Sequence, residues 1–492
     1  MNFTIKTIGC KVNTYESNRI KDELTKLGFN YIDVEDKSSY KDLDFYIVNT
    51  CSVTSIADKK SRQMLHLAKK YNPNVKVIAV GCLVDSLTVG ANRHVGDDVL
   101  SSPVGANHHV VDDILSSHVG ASIASPHLDG VDYLLSNKEK NHLSDLILSL
   151  AKDKNENCCG NAVGASIASP HELNRIRAFI KIQDGCNQYC TYCIIPYLRG
   201  SIVSRSNDDI INEVKEKSKS GVKEIVLTGI HLSSFGLDRN NLQYENDGAI
   251  EFARESLLEI MRQVAEVDGI ERIRLGSLEP RIIDDNFLIS LVENSVVGAD
   301  TIHPHVGADI IRPHVGASIA SPESNDNKLA EKFCANFCLS LQSGCDKTLK
   351  RMNRHYTTAD FENACDLIRK HLPNATITTD VIVGFPGETE EDFNESLAFV
   401  KRMRFYNPNI FPYSRRKGTK ADEMEGQLTN QVKHDRVKIM IGECDIISKE
   451  IEAEYNKIEH EILVEEIVEE NGIKYGIGYT KEYIKKKIEI KS

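Results

Sequence analysis

The sequence predicts an α/β protein in three parts: an N-terminal parallel α/β domain, a central partial (β/α)6 barrel and a short C-terminal β module. Three observations carry this. Strand-like and helical runs alternate through residues 3–80, six further β/α units follow between 175 and 425, and residues 452–492 switch to β-rich text around an Asn471-Gly472 turn. The boundaries that result are 1–150 for the first domain, 151–174 for a linker, 175–425 for the barrel, 426–451 for a helical connector and 452–492 for the β module.

In the first domain, residues 3–8 (FTIKTI), 44–48 (DFYIV) and 75–80 (VKVIAV) read as strands. A helix over 16–27 puts Ile20, Leu24 and Leu27 on one face and closes at Gly28, and a second over 55–71 stops near Pro73. Crossover helices between such strands imply a parallel sheet. In the second series, strands at 178–182, 223–228, 271–276, 337–342, 376–383 and 408–413 alternate with amphipathic stretches at 207–219, 251–267, 357–370 and 389–403. Six units rather than eight imply a partial barrel. Gly384 and Gly387 permit a tight turn before the last of these helices, where Thr389 and Asp392 have the spacing of a capping box.

Short repeats interrupt this rhythm. Val-Gly-Ala recurs from residues 89, 104 and 119 and again from 297, 306 and 315, and VGASIASP occupies 119–126, 163–170 and 315–322. A solenoid repeat runs on through its domain, whereas these patches are scattered, so they read as surface inserts at about 88–126, within the linker, and at about 297–323. Many histidines, among them His94, His108, His109, His118, His303, His305 and His314, belong to these repeats and read as their composition rather than as a metal site.

Composition narrows the class. With 492 residues, 41% hydrophobic and 27% charged, the chain has the make-up of a soluble globular protein, and no apolar run approaches membrane-spanning length. The expectation is a cytoplasmic protein without a membrane partner. Thirteen cysteines there argue for metal or catalytic use rather than disulfides. A formal charge of −12 disfavours a nonspecific nucleic-acid coat but leaves room for a local basic groove.

Cys186, Cys190 and Cys193 fall within eight residues, just past a strand. Three thiolates can hold three irons of a [4Fe–4S] cubane, and no fourth cysteine follows closely, so one iron stays open. An open iron on a low-potential cluster is where S-adenosylmethionine (SAM) is bound and reductively cleaved. Cys10, Cys51 and Cys82 each lie just beyond one of the first three strands, where ligands collect in open parallel sheets. They read as a second cluster site with its own open iron.

The motifs TIGCKVNTYES (7–17), VNTCSVTSIADKKSR (48–62), DGCNQYCTYC (184–193), LTGIHLSSFG (227–236), RLGSLEP (274–280), LSLQSGCDKTLKRMNRHYTT (339–358), TTDVIVGFPGETEEDF (378–393) and FPYSRRKGT (411–419) resemble the methylthiotransferase family of radical SAM enzymes. GCKVN, NTCSVT with ADKKSR, and LTGIHL are similar to its branch acting on N6-threonylcarbamoyladenosine in tRNA. The resemblance implies a radical SAM barrel whose Cys186, Cys190 and Cys193 hold the SAM-cleaving cluster. Cys10, Cys51 and Cys82 would hold an auxiliary cluster that carries the sulfur. A radical formed from SAM would take hydrogen from C2 of the adenosine 3′ of the anticodon, and a methylthio group would replace it.

The same resemblance makes the tRNA anticodon loop, an electron donor such as flavodoxin or ferredoxin, and a sulfur source the partners. Thr228 and Gly229 match the family's SAM-contact region. Glu279 and Gln342 end the next two strands and, with Asp380, are candidates to hold SAM. Arg351, Arg354, Arg415, Arg416 and Lys417 are candidates for tRNA phosphates, and the tail YIKKKIEIKS resembles the end of a small RNA-binding (TRAM) barrel, shortened here. Cys158, Cys159, Cys334, Cys338, Cys345, Cys365 and Cys444 read as non-ligands; Cys338 stands where the family more often has histidine. The alternatives are the same chemistry on isopentenyladenosine or a ribosomal-protein aspartate, and an iron–sulfur RNA-binding protein disabled by its inserts.

Overall fold

A computed structural model describes residues 1–34, 36–91, 128, 130–155, 176–242, 244, 247–292, 325–457 and 460–490. The repeats beyond Ala91, the histidines among them, Cys158 and Cys159 lie outside those residues.

The N-terminal sheet contains β1 (Asn2–Thr7), β2 (Asn30–Tyr31), β3 (Phe45–Thr50), β4 (Lys76–Gly81) and β5 (Tyr133–Leu135), all parallel in the order β2-β1-β3-β4-β5. Central β3 is buried at every residue. Side-chain alternation divides its neighbours between two cores: Tyr46, Val48, Val77 and Ala79 pack with Leu65 and Ala68 on one face, and Phe3, Ile5, Phe45 and Ile47 with Ile20 and Leu24 on the other.

The first helix spans Lys11–Lys26, five residues earlier than its apolar periodicity predicts, and Leu27 is 44% exposed at its cap. The first two turns are helical but bury polar groups, Asn13, Glu16 and Ser17, which a hydrophobic pattern does not register. Asn13 Nδ2 donates to Ile8 O (2.8 Å) and Thr50 O (3.0 Å), tying the first turn to the ends of two strands.

The second unit begins with β6 (Arg177–Lys181), followed by a small antiparallel pair, β7 (Gln183–Asp184) with β8 (Val203–Ser204). Its wall continues through β9 (Glu224–Thr228), β10 (Arg272–Leu275), β11 (Ser277–Leu278), β12 (Asn336–Gln342), β13 (Thr376–Val383) and β14 (Asn409–Pro412). All the wall pairs are parallel, in two sheets, β10-β9-β6 and β11-β12-β13-β14. The strand expected at 271–276 is broken at Gly276, whose N–H donates to Leu227 O at 2.8 Å. Before that residue the chain pairs with β9, after it with β12, and the change of partner bends the wall into a partial barrel. The expected capping box at Thr389 and Asp392 is formed, and Gly384 and Gly387 both have φ of 73° in the turn before it.

The N-terminal domain spans the opening between the two edge strands of this wall. On the β6 side Glu16 Oε1 meets Lys181 Nζ at 3.1 Å; past β14, Ser55 N–H donates to Ser414 Oγ at 2.8 Å and Arg416 pairs with Asp58 at 3.7 Å.

After the helix Asn430–Tyr455 come β15 (Leu463–Glu470), β16 (Ile473–Tyr479) and β17 (Lys485–Glu489), an antiparallel sheet with its first turn at Asn471 and Gly472, both at positive φ. It docks at the other end of the barrel. Arg272 donates to Tyr479 O (2.6 Å) and Glu461 O (3.1 Å), and Arg274 to Lys481 O (3.1 Å), from the strand starts. No helix among the described residues is long and apolar enough to cross a membrane.

Candidate active site at the barrel mouth

Parallel pairing of β1, β3 and β4 brings the three N-terminal cysteines to one edge. Cys10 follows β1 as the cap of the first helix, Cys51 follows β3, and Cys82 opens the helix Cys82–Ala91 after β4. Ser61 Oγ accepts from Cys51 N–H (3.1 Å) and donates to Cys51 O (2.9 Å); Thr50 Oγ1 donates to Val80 O (2.7 Å) and accepts from Leu83 N–H (3.2 Å). Asn137 Nδ2 donates to Cys82 Sγ at 3.5 Å. Burial pushes the Cys51 thiol up to about 11, and the neighbouring Cys82 and Cys10 add to the rise. The Cys51 thiol therefore senses both of the others.

The second triad occupies the loop between β7 and the helix Ile195–Arg199. Gly185 starts it at φ 69°, where a Cβ would lie 1.9 Å from Ser201 O, so only glycine fits. Cys186 N–H donates to Gly200 O (3.1 Å) and Cys193 N–H to Cys190 O (2.9 Å). The segment after β12 braces the loop: Thr191 N–H donates to Met352 O (3.0 Å), Thr191 Oγ1 to Arg351 O (2.8 Å), and Arg354 Nη1 to Cys190 Sγ (3.1 Å). Burial pushes Cys186 up to about 11, and burial followed by Cys190 raises Cys193 further.

Both sets suit a cubane. Each offers three free thiols and N–H groups aimed at sulfur, the environment that supports cluster thiolates. Among the described residues no three His, Cys, Asp or Glu groups close on a single ion.

The two triads adjoin. Cys82 packs with Ile194, which directly follows Cys193, and with Leu198 of the next helix, in one buried cluster. At the end of that helix Arg199 Nη1 bonds Glu16 Oε1 (3.1 Å) and Asp184 Oδ1 (3.0 Å), and its Nη2 bonds Asn13 Oδ1 (3.1 Å). Lys140 (2.5 Å) and Lys181 (3.1 Å) complete a buried cluster of charges around Glu16. Sequence reasoning passed over Glu16, Arg199 and the sulfur contact of Arg354. For the first the available signal was a carboxylate on the inner face of a helix beginning at a cysteine.

The strand-end residues lie beside the second triad. Thr228 ends β9 and is 3% exposed. At Gly229 a Cβ would come within 2.7 Å of Gln183 Oε1, the atom that accepts His231 N–H at 2.8 Å. Glu279 follows β11 and is 2% exposed; Oε1 accepts from Arg281 Nε (2.7 Å), while buried Oε2 has no partner among the described residues. Gln342 ends β12 at φ 66° and accepts from Tyr192 OH at 2.9 Å, within the cysteine loop. Asp380 differs: it sits inside β13, accepts from Asn409 Nδ2 at 2.9 Å, and burial raises its carboxyl above the ordinary range. Cys334, Cys345, Cys365 and Cys444 are buried in the structure, and Cys338 contacts Ser277 Oγ at 3.2 Å. Burial, with Arg354 and Arg281 nearby, pushes the His231 imidazole down to about 3.

Residues 2–98 match the family model described as Uncharacterized protein family UPF0004, and residues 180–235 and 243–400 match that of the Radical SAM superfamily. The chain is 30% identical to the threonylcarbamoyladenosine tRNA methylthiotransferase MtaB of Bacillus subtilis (strain 168), over 97% of this chain and 88% of the relative. It is 30% identical to the MtaB of Aquifex aeolicus (strain VF5), over 96% and 94%. With the tRNA-2-methylthio-N(6)-dimethylallyladenosine synthase of Clostridium tetani it shares 32% identity over 94% and 84%.

Proposed function

The chain belongs to the MtaB-type methylthiotransferases of the radical SAM superfamily, and we propose that it methylthiolates C2 of N6-threonylcarbamoyladenosine 3′ of the anticodon in tRNA, with two [4Fe–4S] clusters and SAM. The observation that carries this reading is the adjacency of two three-thiol sets through Cys82, Ile194 and Leu198. Radical chemistry alone needs one set; sulfur insertion calls for a second within reach.

Cys186, Cys190 and Cys193 would hold one cluster and Cys10, Cys51 and Cys82 the other; when bound, the first supplies reductive cleavage of SAM to abstract hydrogen and the second the sulfur. The remaining work falls to side chains. Arg354 offers a positive charge to Cys190 Sγ, compensating the charge of a thiolate-bound cluster. Gly229 lets a ligand approach the backbone, Thr228 and Gln342 frame the same strand ends, and the free Oε2 of Glu279 is an acceptor for a SAM hydroxyl or ammonium group. Ile194 and Leu198 exclude water between the two sites. An electron donor such as flavodoxin or ferredoxin and a source of sulfur complete the reaction. The C-terminal sheet, with Lys485, Lys486 and Lys487, would add phosphate contacts.

The test is reconstitution with iron and sulfide, reduction, and mass spectrometry of nucleosides from tRNA incubated with SAM. The expected product is 2-methylthio-N6-threonylcarbamoyladenosine. Its absence, with methylthiolated isopentenyladenosine in its place, moves the substrate to the branch named by the Clostridium tetani relative; absence of both removes the reading.

A further inference from the structure

We propose that Asn137 is a positioning residue that sets the reduction potential of the auxiliary cluster, by holding an amide N–H on the Cys82 sulfur; this rests on the two-cluster reading above. Asn137 lies just after β5 and faces the first turn of the helix Cys82–Ala91. Its Nδ2 donates to Cys82 Sγ at 3.5 Å and to Asp85 Oδ2 at 2.7 Å, and its Oδ1 accepts from Lys140 Nζ at 2.8 Å. An ammonium group can only donate and a carboxylate can only accept, so these two neighbours decide which way round the amide stands. With one amide proton on Asp85, the other is directed at sulfur. The arrangement is held firmly. Asn137 N–H also donates to Asp85 Oδ2 at 3.1 Å, and Glu16 pins Lys140 at 2.5 Å. Ser136 N–H donates to Glu139 Oε2 at 2.8 Å and Glu139 N–H to Ser136 Oγ at 3.2 Å, which closes the turn around Asn137.

A second asparagine beside the triad is turned the other way. Asn13 spends both Nδ2 protons on Ile8 O and Thr50 O, and it is its Oδ1 that stands 3.8 Å from Cys10 Sγ. The amide donor therefore falls on Cys82. That sulfur belongs to a residue 2% exposed and packed against Ile194 and Leu198, so water does not replace a donor removed there. A hydrogen bond to a cluster thiolate draws negative charge from the sulfur and favours the reduced, more negative state. At the other triad the same kind of contact is made by a full cation, Arg354 on Cys190 Sγ at 3.1 Å. The two sites are thus tuned by donors of different charge.

The test uses the full-length chain carrying Cys190→Ala, which on the two-cluster reading keeps the auxiliary cluster alone, so that a redox titration followed by EPR reports one centre. Added to that background, Asn137→Leu should lower the potential by about 59 mV, a tenfold shift of a one-electron equilibrium. Asn137→Asp keeps an acceptor for Lys140 but loses the donor to sulfur, and should lower the potential at least as far. Ser136→Ala loosens the same turn without touching the amide and should leave the potential where it was. In protein grown on asparagine labelled with heavy nitrogen, pulsed EPR of the reduced cluster should show a nitrogen coupling that Asn137→Leu abolishes. An unshifted potential in both position-137 variants overturns the proposal, as does an equal shift in Ser136→Ala. If the position-137 variants load no iron, the nitrogen coupling of the Cys190→Ala chain decides alone, and its absence overturns the proposal. A Cys190→Ala chain that binds no iron refutes the two-cluster reading itself.

Discussion

Glutamine at position 16 keeps the shape of the native side chain and removes its charge. Glu16 is 3% exposed and faces Lys140 at 2.5 Å, Lys181 at 3.1 Å and Arg199 at 3.1 Å. At an effective dielectric of about 20, one pair at that longer separation attracts by about 5 kcal/mol. Desolvation offsets much of this in the intact cluster, but deleting one partner leaves the others buried and unpaired, at a cost of about 3–5 kcal/mol. The loss falls on the junction between the two units, because Glu16 belongs to one and Lys181 and Arg199 to the other. Native-state hydrogen exchange resolves such local opening. In Glu16→Gln, protection of residues 11–17 and 195–199 should fall by that amount at pH 7, with β12 and β13 unaffected.

The pH arm has a definite sign. Burial alone would raise the Glu16 carboxyl, but Arg199, Lys140 and Lys181 outweigh it and hold the carboxyl well below the ordinary range. Its stabilisation is therefore present above the unfolded carboxylate value of about 4.3 and is lost as pH falls below it. The wild-type junction should open in acid, and the variant should be weak and nearly flat across that range. A Glu16→Gln junction within about 1 kcal/mol of wild type at pH 7 would refute the reasoning, being smaller than any buried-pair deletion of this kind.

Three further outcomes follow from the site. Cys51→Ala should lower bound iron from ~8 to ~4 per chain and retain SAM cleavage without methylthio product, whereas Cys190→Ala should lose the cleavage itself; equal loss of cleavage in both would contradict two separate cluster sites. Gly185→Ala forces a Cβ to 1.9 Å from Ser201 O at positive φ, so iron loading at the radical site should drop sharply; full loading, measured by EPR, would count against that constraint. His231, pushed down to about 3 by burial and its arginine neighbours, contributes stability that is present above its ordinary value of about 6.5 and lost at up to ~1.4 kcal/mol per pH unit below it. An imidazole NMR signal titrating near 6.5 would show the ring to be solvated instead.

Local pattern alone determined much of this protein. Short, mostly apolar runs and the turn residues that bound them were enough for β3, β4 and all but one of the barrel strands, because a strand buried on both faces is apolar nearly throughout. Both cysteine triads were legible because their chemistry rests on residue type and strand-end position. Gly384, Gly387 and the Thr389–Asp392 cap were legible for the same reason, each being a short-range backbone requirement. Only the tertiary structure decided that the first helix starts at Lys11, since its inner turn is polar and becomes acceptable only against Thr50 O and Arg199. It alone decided that Gly276 divides one strand between two sheets and that Cys82 packs against the helix after Cys193. Arg354 at a cysteine sulfur and the charges around Glu16 join residues more than a hundred positions apart. No window of sequence contains such pairs; their energy depends on burial and separation, which exist only after the chain has folded.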